Sequence, residues 1–185
     1  MAGFTRHALV KTKNEQREMK IHSGKGDFGE TSNLGGLDFS KNDAVIHFLG
    51  TLDELNSHLG LVKALLADES ASNFVEKIQM NLVKIMSYVS FLPKSNEKYL
   101  ITDDDIFVLE NEIDCCSERF EEIKDFILPG KTVTEAQIQI ARTVSRRAER
   151  LFFAVNESNK HNLLLCQKIG VYLNRLSDYL FVLGV

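Results

Sequence analysis

Between Val133 and Val155 apolar residues return at every third or fourth position: Val133, Ala136, Ile140, Val144, Ala148, Leu151, Phe152 and Val155. That period dictates an amphipathic α-helix whose stripe must be buried against neighbouring elements. The same stretch carries Arg142, Arg146, Arg147 and Arg150, four of the chain's eight arginines. At about 100° per residue, Arg142, Arg146 and Glu149 share a narrow arc opposite the stripe, with Arg150 beside it. One reading is a solvated face whose Glu/Arg pairs are worth a few tenths of a kcal/mol each. The other is an anion site, because guanidinium forks stay charged when desolvated and match carboxylate or phosphate. Elsewhere in the chain lysine outnumbers arginine, so the local choice of arginine favours the second.

Helical periodicity recurs elsewhere. From about Asn42 to Asp68, Val45, Phe48, Leu49, Leu52, Leu55, Leu59, Val62 and Leu66 mark one face, with Asp53, Asn56 and Ser57 off it. A second helix runs from about Ser72 to Phe91 and stops at Pro93. A third, Thr102 to about Glu122, opens on a Thr102/Asp105 capping box, with Asp103 and Asp104 complementing the helix dipole. Asp125 to Gly130 breaks the rhythm and reads as an apolar loop lidding the core. The arginine helix follows, to about Ser158. The last helix, about His161 to Leu183, buries Leu165, Ile169, Tyr172, Leu176, Tyr179 and Leu183 and presents Asn174, Ser177 and Asp178 on its other side. Five helices with few strand-like runs give an all-α bundle.

Ahead of the helices lies a stretch, 21 to 36, holding five of the chain's eleven glycines. Gly24 to Gly29 formally fits G-x-G-x-x-G, but no strand precedes it and no helix opens on it, so the dinucleotide fingerprint is rejected. It reads instead as a polar loop, either a plain surface loop or one whose backbone N–H groups, with Ser23, Thr31 and Ser32, approach an anion. Residues 1–18 are polar and aperiodic, which predicts a flexible extension preceding a single domain over 19–185.

A formal charge of −4 argues against a general nucleic-acid binder. No apolar run reaches the roughly 20 residues of a membrane span, and no secretory signal is read at the N-terminus. Cys115, Cys116 and Cys166 form no pairing pattern, so a reducing, cytoplasmic setting is expected. The histidines lack zinc-ligand spacing; His47 and His58 read as core-edge residues.

Four segments together point further: Gly50-Thr51-Leu52-Asp53-Glu54-Leu55-Asn56-Ser57, Phe126-Ile127-Leu128-Pro129-Gly130, Ala141 to Arg150, and Tyr172-Leu173-Asn174-Arg175-Leu176-Ser177-Asp178-Tyr179-Leu180. In this order they closely resemble the PduO-type ATP:cob(I)alamin adenosyltransferases. The resemblance implies a five-helix bundle assembled as a homotrimer, with ATP and a corrinoid held between neighbouring subunits. It implies that Arg146, Arg147, Glu149, Arg150 and Asn174 contact ATP, with Arg146, Glu149 and Phe126 in the catalytic centre. Ser23, Gly26, Asp27, Gly29, Thr31, Ser32 and Lys41 resemble the segment that wraps ATP. Phe126 and Leu128 match the apolar wall beside the corrin, and Asp53 and Arg142 match an ion pair across the subunit boundary. The implied reaction moves the 5′-deoxyadenosyl group of ATP to cob(I)alamin, with Mg²⁺ arriving on ATP rather than in a dedicated protein site. An adenosylcobalamin-dependent enzyme would be the acceptor. The alternative is a non-catalytic corrinoid- or nucleotide-binding relative acting as carrier or regulator.

The glycine loop departs from the family pattern. Ser23-Gly24 stands where Thr followed by Lys or Arg is usual, Phe28 where a basic residue is common, and Asp38 where Arg is frequent. Leu128-Pro129-Gly130-Lys131 replaces Leu-Pro-Gly-Gly. Lys25 offsets the lost charge in part. A charge-assisted contact is worth about 1.5–3 kcal/mol, so the loop is expected to weaken ATP binding.

Overall fold

In a computed structural model, the described residues are 24, 26–94, 96–118, 127–158 and 164–185. The expected extension over 1–18, Ser23, Phe126 and the third helix beyond Glu118 lie outside them. Among the described residues there are five helices: α1 (Ala44–Leu65), α2 (Glu69–Phe91), α3 (Asp103–Ser117), α4 (Val133–Ser158) and α5 (Gln167–Leu183), with a short 3₁₀ turn at Glu97–Tyr99. A hairpin of β1 (Glu30–Ser32) and β2 (Asp38–Ser40) precedes them.

Local chemistry sets most of these boundaries. The Asp43 carboxylate accepts from Val45 N at 3.1 Å and starts α1. Asp68 accepts from Ser70 N at 2.9 Å and starts α2 three residues before the expected Ser72. The expected capping box opens α3: Asp105 N donates to Thr102 Oγ1 at 3.2 Å, and Thr102 N donates back to Asp105 Oδ2 at 2.9 Å. Lys84 reaches the same carboxylate at 2.8 Å and ties α2 to α3.

The helices wind around one core. α1 packs on α2 and α4, α4 on α5, and α5 on α3. Contacts of Leu65 with Thr134 and of Phe48 with Phe152 run α1 and α4 antiparallel. Phe48, Leu52, Leu55, Leu59, Leu82, Ile85, Ala141, Ala148, Leu173 and Leu176 are fully buried. Where α4 meets α5, a Cβ on Gly170 would lie 2.5 Å from Phe152, so only glycine admits this approach.

Several expectations are corrected. The glycine stretch is not wholly loop: β1 and β2 pair antiparallel with Thr31 opposite Phe39, and Phe39 is buried in the core. Strands of three residues are too short to display a period of two in the sequence. The hairpin is held by docking instead. Gly35 N donates to Ser90 O at 3.0 Å and Asn33 Nδ2 to Leu92 O at 2.8 Å. A Cβ on Gly35 would sit 1.9 Å from Leu92 O.

In α4 the expected stripe fails over its first turns. Val133 and Ile140 are exposed, while Gln137, Ile138, Gln139 and Ser145 are buried. These polar groups are satisfied: Gln137 Nε2 donates to His58 Nδ1 at 2.7 Å, and Ser145 Oγ to Leu173 O at 3.2 Å. α5 begins at Gln167; the expected start at His161 lies outside the described residues, and just ahead of α5 Asn156 Oδ1 accepts from Leu165 N at 2.7 Å. Ser177, expected on the outer side, is buried and bonds Asn174 O at 2.9 Å. His47 is exposed and bonds Asn42 at 2.9 Å. Leu128 is 82% exposed, so the described part of the 125–130 loop does not lid the core.

Candidate functional site

The arginine arc of α4 faces solvent over much of its length. Arg146 and Arg150 are exposed and make no ion pair or hydrogen bond among the described residues. Arg147 pairs with Glu54 of α1. Arg142 is half-buried and donates from Nε to Gln139 Oε1 at 2.7 Å. The Asp53 carboxylate is exposed and has no partner within the chain among the described residues, so the expected Asp53–Arg142 pair does not form inside one protomer.

The chain brings Glu149 and Asn174 together. Asn174 Nδ2 donates to Glu149 Oε1 at 3.0 Å, joining α5 to α4 about one helical turn beyond Arg146 and directly before Arg150. On its other end Asn174 Oδ1 accepts from Arg175 Nη1 at 2.8 Å, and Arg175 Nε donates to Glu110 Oε1 of α3 at 2.8 Å. Two exposed guanidinium groups and an oriented amide therefore project from adjoining helices, a donor set suited to a polyanion.

The hairpin supplies a second group of polar residues. Turns at Gly24–Asp27 and Gly26–Gly29 place Gly26 against Lys41, whose Nζ lies 3.1 Å from the point a Cβ on Gly26 would occupy. Lys41 N donates to Gly29 O at 2.8 Å, and Gly29 has a φ of +84° that glycine adopts without strain. Gly29 and Asp27 are exposed, and Thr31 is half-buried. Ser32 is exposed, but its hydroxyl donates to Asp38 Oδ1 at 2.7 Å, so that donor is engaged by the same carboxylate that departs from the expected arginine. No hydrogen bond or ion pair joins Gly26, Asp27, Gly29, Thr31 or Ser32 to an arginine of α4 among the described residues.

An apolar hollow of about 260 Å³ opens at the start of α4, lined by Pro129, Gly130, Ala136, Gln139, Ile140, Arg142 and Thr143. Leu128 and Val133 are exposed near it in sequence. The loop ahead of α4 is fixed by Glu135, whose carboxylate accepts from Lys131 N at 3.0 Å and also from Gly130 N. A separate cleft of about 320 Å³ lies between α3 and α5, lined by Glu110, Ile113, Asp114, Arg175 and Asp178. Among the described residues no three His, Cys, Asp or Glu side chains gather as metal ligands.

Gln139 and Glu110 were not singled out in the sequence, and Glu54 and Arg175 stood in the family-like segments with no role of their own. Arg175 sits beside Asn174. Its contact with Glu110 spans 65 residues and has no local trace.

The family model described as cobalamin adenosyltransferase matches residues 21–185. The corrinoid adenosyltransferase PduO of Salmonella typhimurium is 37% identical over 170 residues, which cover 90% of this chain and 49% of that protein. The chain thus spans about half of that relative's length. The corrinoid adenosyltransferase of Bacillus subtilis is 35% identical over 169 residues, 88% of this chain and 83% of the relative. A solved variant of the PduO-type ATP:corrinoid adenosyltransferase from Lactobacillus reuteri, complexed with cobalamin and ATP, has a TM-score of 0.79 at 31% identity. That match covers 89% of this chain and 91% of the other.

Proposed function

The chain belongs to the cobalamin adenosyltransferase family, and on that premise we propose that it transfers the 5′-deoxyadenosyl group of ATP to cob(I)alamin. The observation that carries this reading is the pair of exposed guanidinium groups, Arg146 and Arg150, unpaired among the described residues and flanking the Glu149–Asn174 bond.

In the reaction the cobalt of cob(I)alamin supplies an electron pair to C5′ of ATP. A Co–C bond forms, the C5′–O bond breaks, and triphosphate leaves with that oxygen. No proton need be removed from the nucleophile, so no general base is required. The protein's task is to receive a concentrated negative charge and hold C5′ toward the cobalt. Arg146 and Arg150 have free forks for the phosphates, and Asn174 has a second N–H to give. Arg147 is held by Glu54 of α1 and would reach ATP only by leaving that carboxylate. Lys41, Gly26, Asp27, Gly29, Thr31 and Ser32 would close over the nucleotide, joined by Ser23.

Mg²⁺ would reach the site on ATP, beside a Glu149 carboxylate already engaged by Asn174. When bound, it supplies charge neutralisation to the phosphates. For the corrinoid we assign Leu128, exposed just ahead of α4, together with Phe126, which lies outside the described residues. An apolar wall would offer cobalt no replacement ligand, which would favour the Co(I) state in which the corrinoid reacts.

We further infer a homotrimer. Within one chain the hairpin is not bonded to the arginines among the described residues, and Asp53 and Arg142 lack each other as partners; a neighbouring copy would supply both complements. Cys115, Cys116 and Cys166 form no disulfide, which fits a reducing cytoplasmic setting, with an adenosylcobalamin-dependent enzyme as acceptor. The test is an anaerobic assay of the full chain with ATP, Mg²⁺ and chemically reduced cobalamin. We expect adenosylcobalamin and triphosphate in equal amounts; binding of both substrates without transfer would overturn the catalytic reading and leave a carrier.

A further inference from the structure

Asn174 is held from both ends, and the two ends differ in kind. A carboxylate such as that of Glu149 accepts, and a guanidinium such as that of Arg175 can only donate. The amide therefore has one satisfied orientation, with Nδ2 toward Glu149 at 3.0 Å and Oδ1 toward Arg175 at 2.8 Å. Arg175 is itself fixed by Glu110, whose Oε1 accepts from Nε at 2.8 Å, so the guanidinium bridges α3 and α5 along the cleft between them.

We infer that Arg175 is a positioning residue for ATP: together with Glu110 it locks the Asn174 amide so that its second N–H faces the substrate. This rests on the placement of Asn174 in the nucleotide site argued above. Arg175 lies behind Asn174 and is not placed against ATP itself. Its side chain is 38% exposed and that of Glu110 42%, so their ion pair contributes little to folding stability. What the bridge provides is orientation of one amide, in a network whose members depend on one another.

The test is a double-mutant cycle on ATP affinity in the full chain. Arg175→Met keeps the length of the stem and removes every donor. We expect it to weaken ATP binding about tenfold, the scale of one hydrogen bond, while the KM for the corrinoid and the thermal midpoint hold. Combined with Asn174→Ala it should add nothing further. Glu110→Gln keeps an acceptor and should restore near-normal affinity. Glu110→Ala frees the guanidinium and should weaken ATP binding part of the way, which serves if Arg175→Met folds poorly. If the Arg175 and Asn174 effects simply add, or if only Asn174→Ala weakens ATP, the positioning role is wrong and the site stands. If Asn174→Ala leaves ATP affinity unchanged, the placement of Asn174 is wrong and this inference fails with it.

Discussion

Asp105 condenses the residue-scale physics of this chain. One oxygen, Oδ2, accepts from Thr102 N and Oγ1 at 2.9 Å each and from Lys84 Nζ at 2.8 Å. Burial alone would raise the carboxyl's pKa; Lys84 and the Thr102 donors outweigh it and hold the group below its ordinary value. The folded pKa is depressed, so the stabilisation is full above the ordinary carboxylate pKa of about 4 and is lost as pH falls through the lower folded value. Thr102→Ala should cost about 1 kcal/mol by removing the cap. Asp105→Asn should destabilise at neutral pH, and urea titrations at descending pH should show the gap to the parent closing below about pH 4. A gap that persists in acid would mean that the charge is not what matters. The capping box was legible because its partners lie three residues apart. Lys84, which is 21 residues away, was not; nor was Glu54, separated from Arg147 by 93.

At the scale of elements, helices were legible and the hairpin was not. Each helix repeats its period over several turns, and most carry their own caps, so the pattern accumulates. The hairpin has three residues per strand and takes its place from docking on the end of α2, a long-range fact. The start of α4 misled for a related reason: Val133 and Ile140 fit the stripe, but Gln137 and Ser145 found partners on α1 and α5 and took the buried side. Gly35→Ala tests whether the hairpin's seat matters for function. The added Cβ meets backbone oxygen at 1.9 Å, so the hairpin must lift. ATP affinity should fall at least tenfold while the bundle's circular dichroism is retained; undiminished affinity would detach the hairpin from the site. Tyr179 offers the converse case on α5. Its hydroxyl is buried without a hydrogen-bond partner among the described residues, and burial pushes its pKa up. Tyr179→Phe, keeping the ring packed near Phe74, should be neutral or stabilise by up to about 1 kcal/mol in thermal unfolding.

For the whole molecule, the helical bundle was legible from the repeating period of its helices, and the family from a few short segments. The proposed assembly assigns Asp53, Arg142 and the exposed arginines of α4 to a seam between copies. Charge reversal tests it: Asp53→Arg should convert a trimer to monomers by light scattering, and Asp53→Arg combined with Arg142→Asp should restore the trimer. A parent chain that is monomeric at micromolar concentration would contradict the shared site. The central claim is that α4 exists to hold a triphosphate, and calorimetric titration of ATP onto the parent and onto Arg146→Gln/Arg150→Gln addresses it most directly. The double variant removes two charge-assisted hydrogen-bonding groups, each worth about 1.5–3 kcal/mol, so affinity should fall at least a hundredfold in a chain that stays folded. Equal affinity in the two proteins would contradict the account.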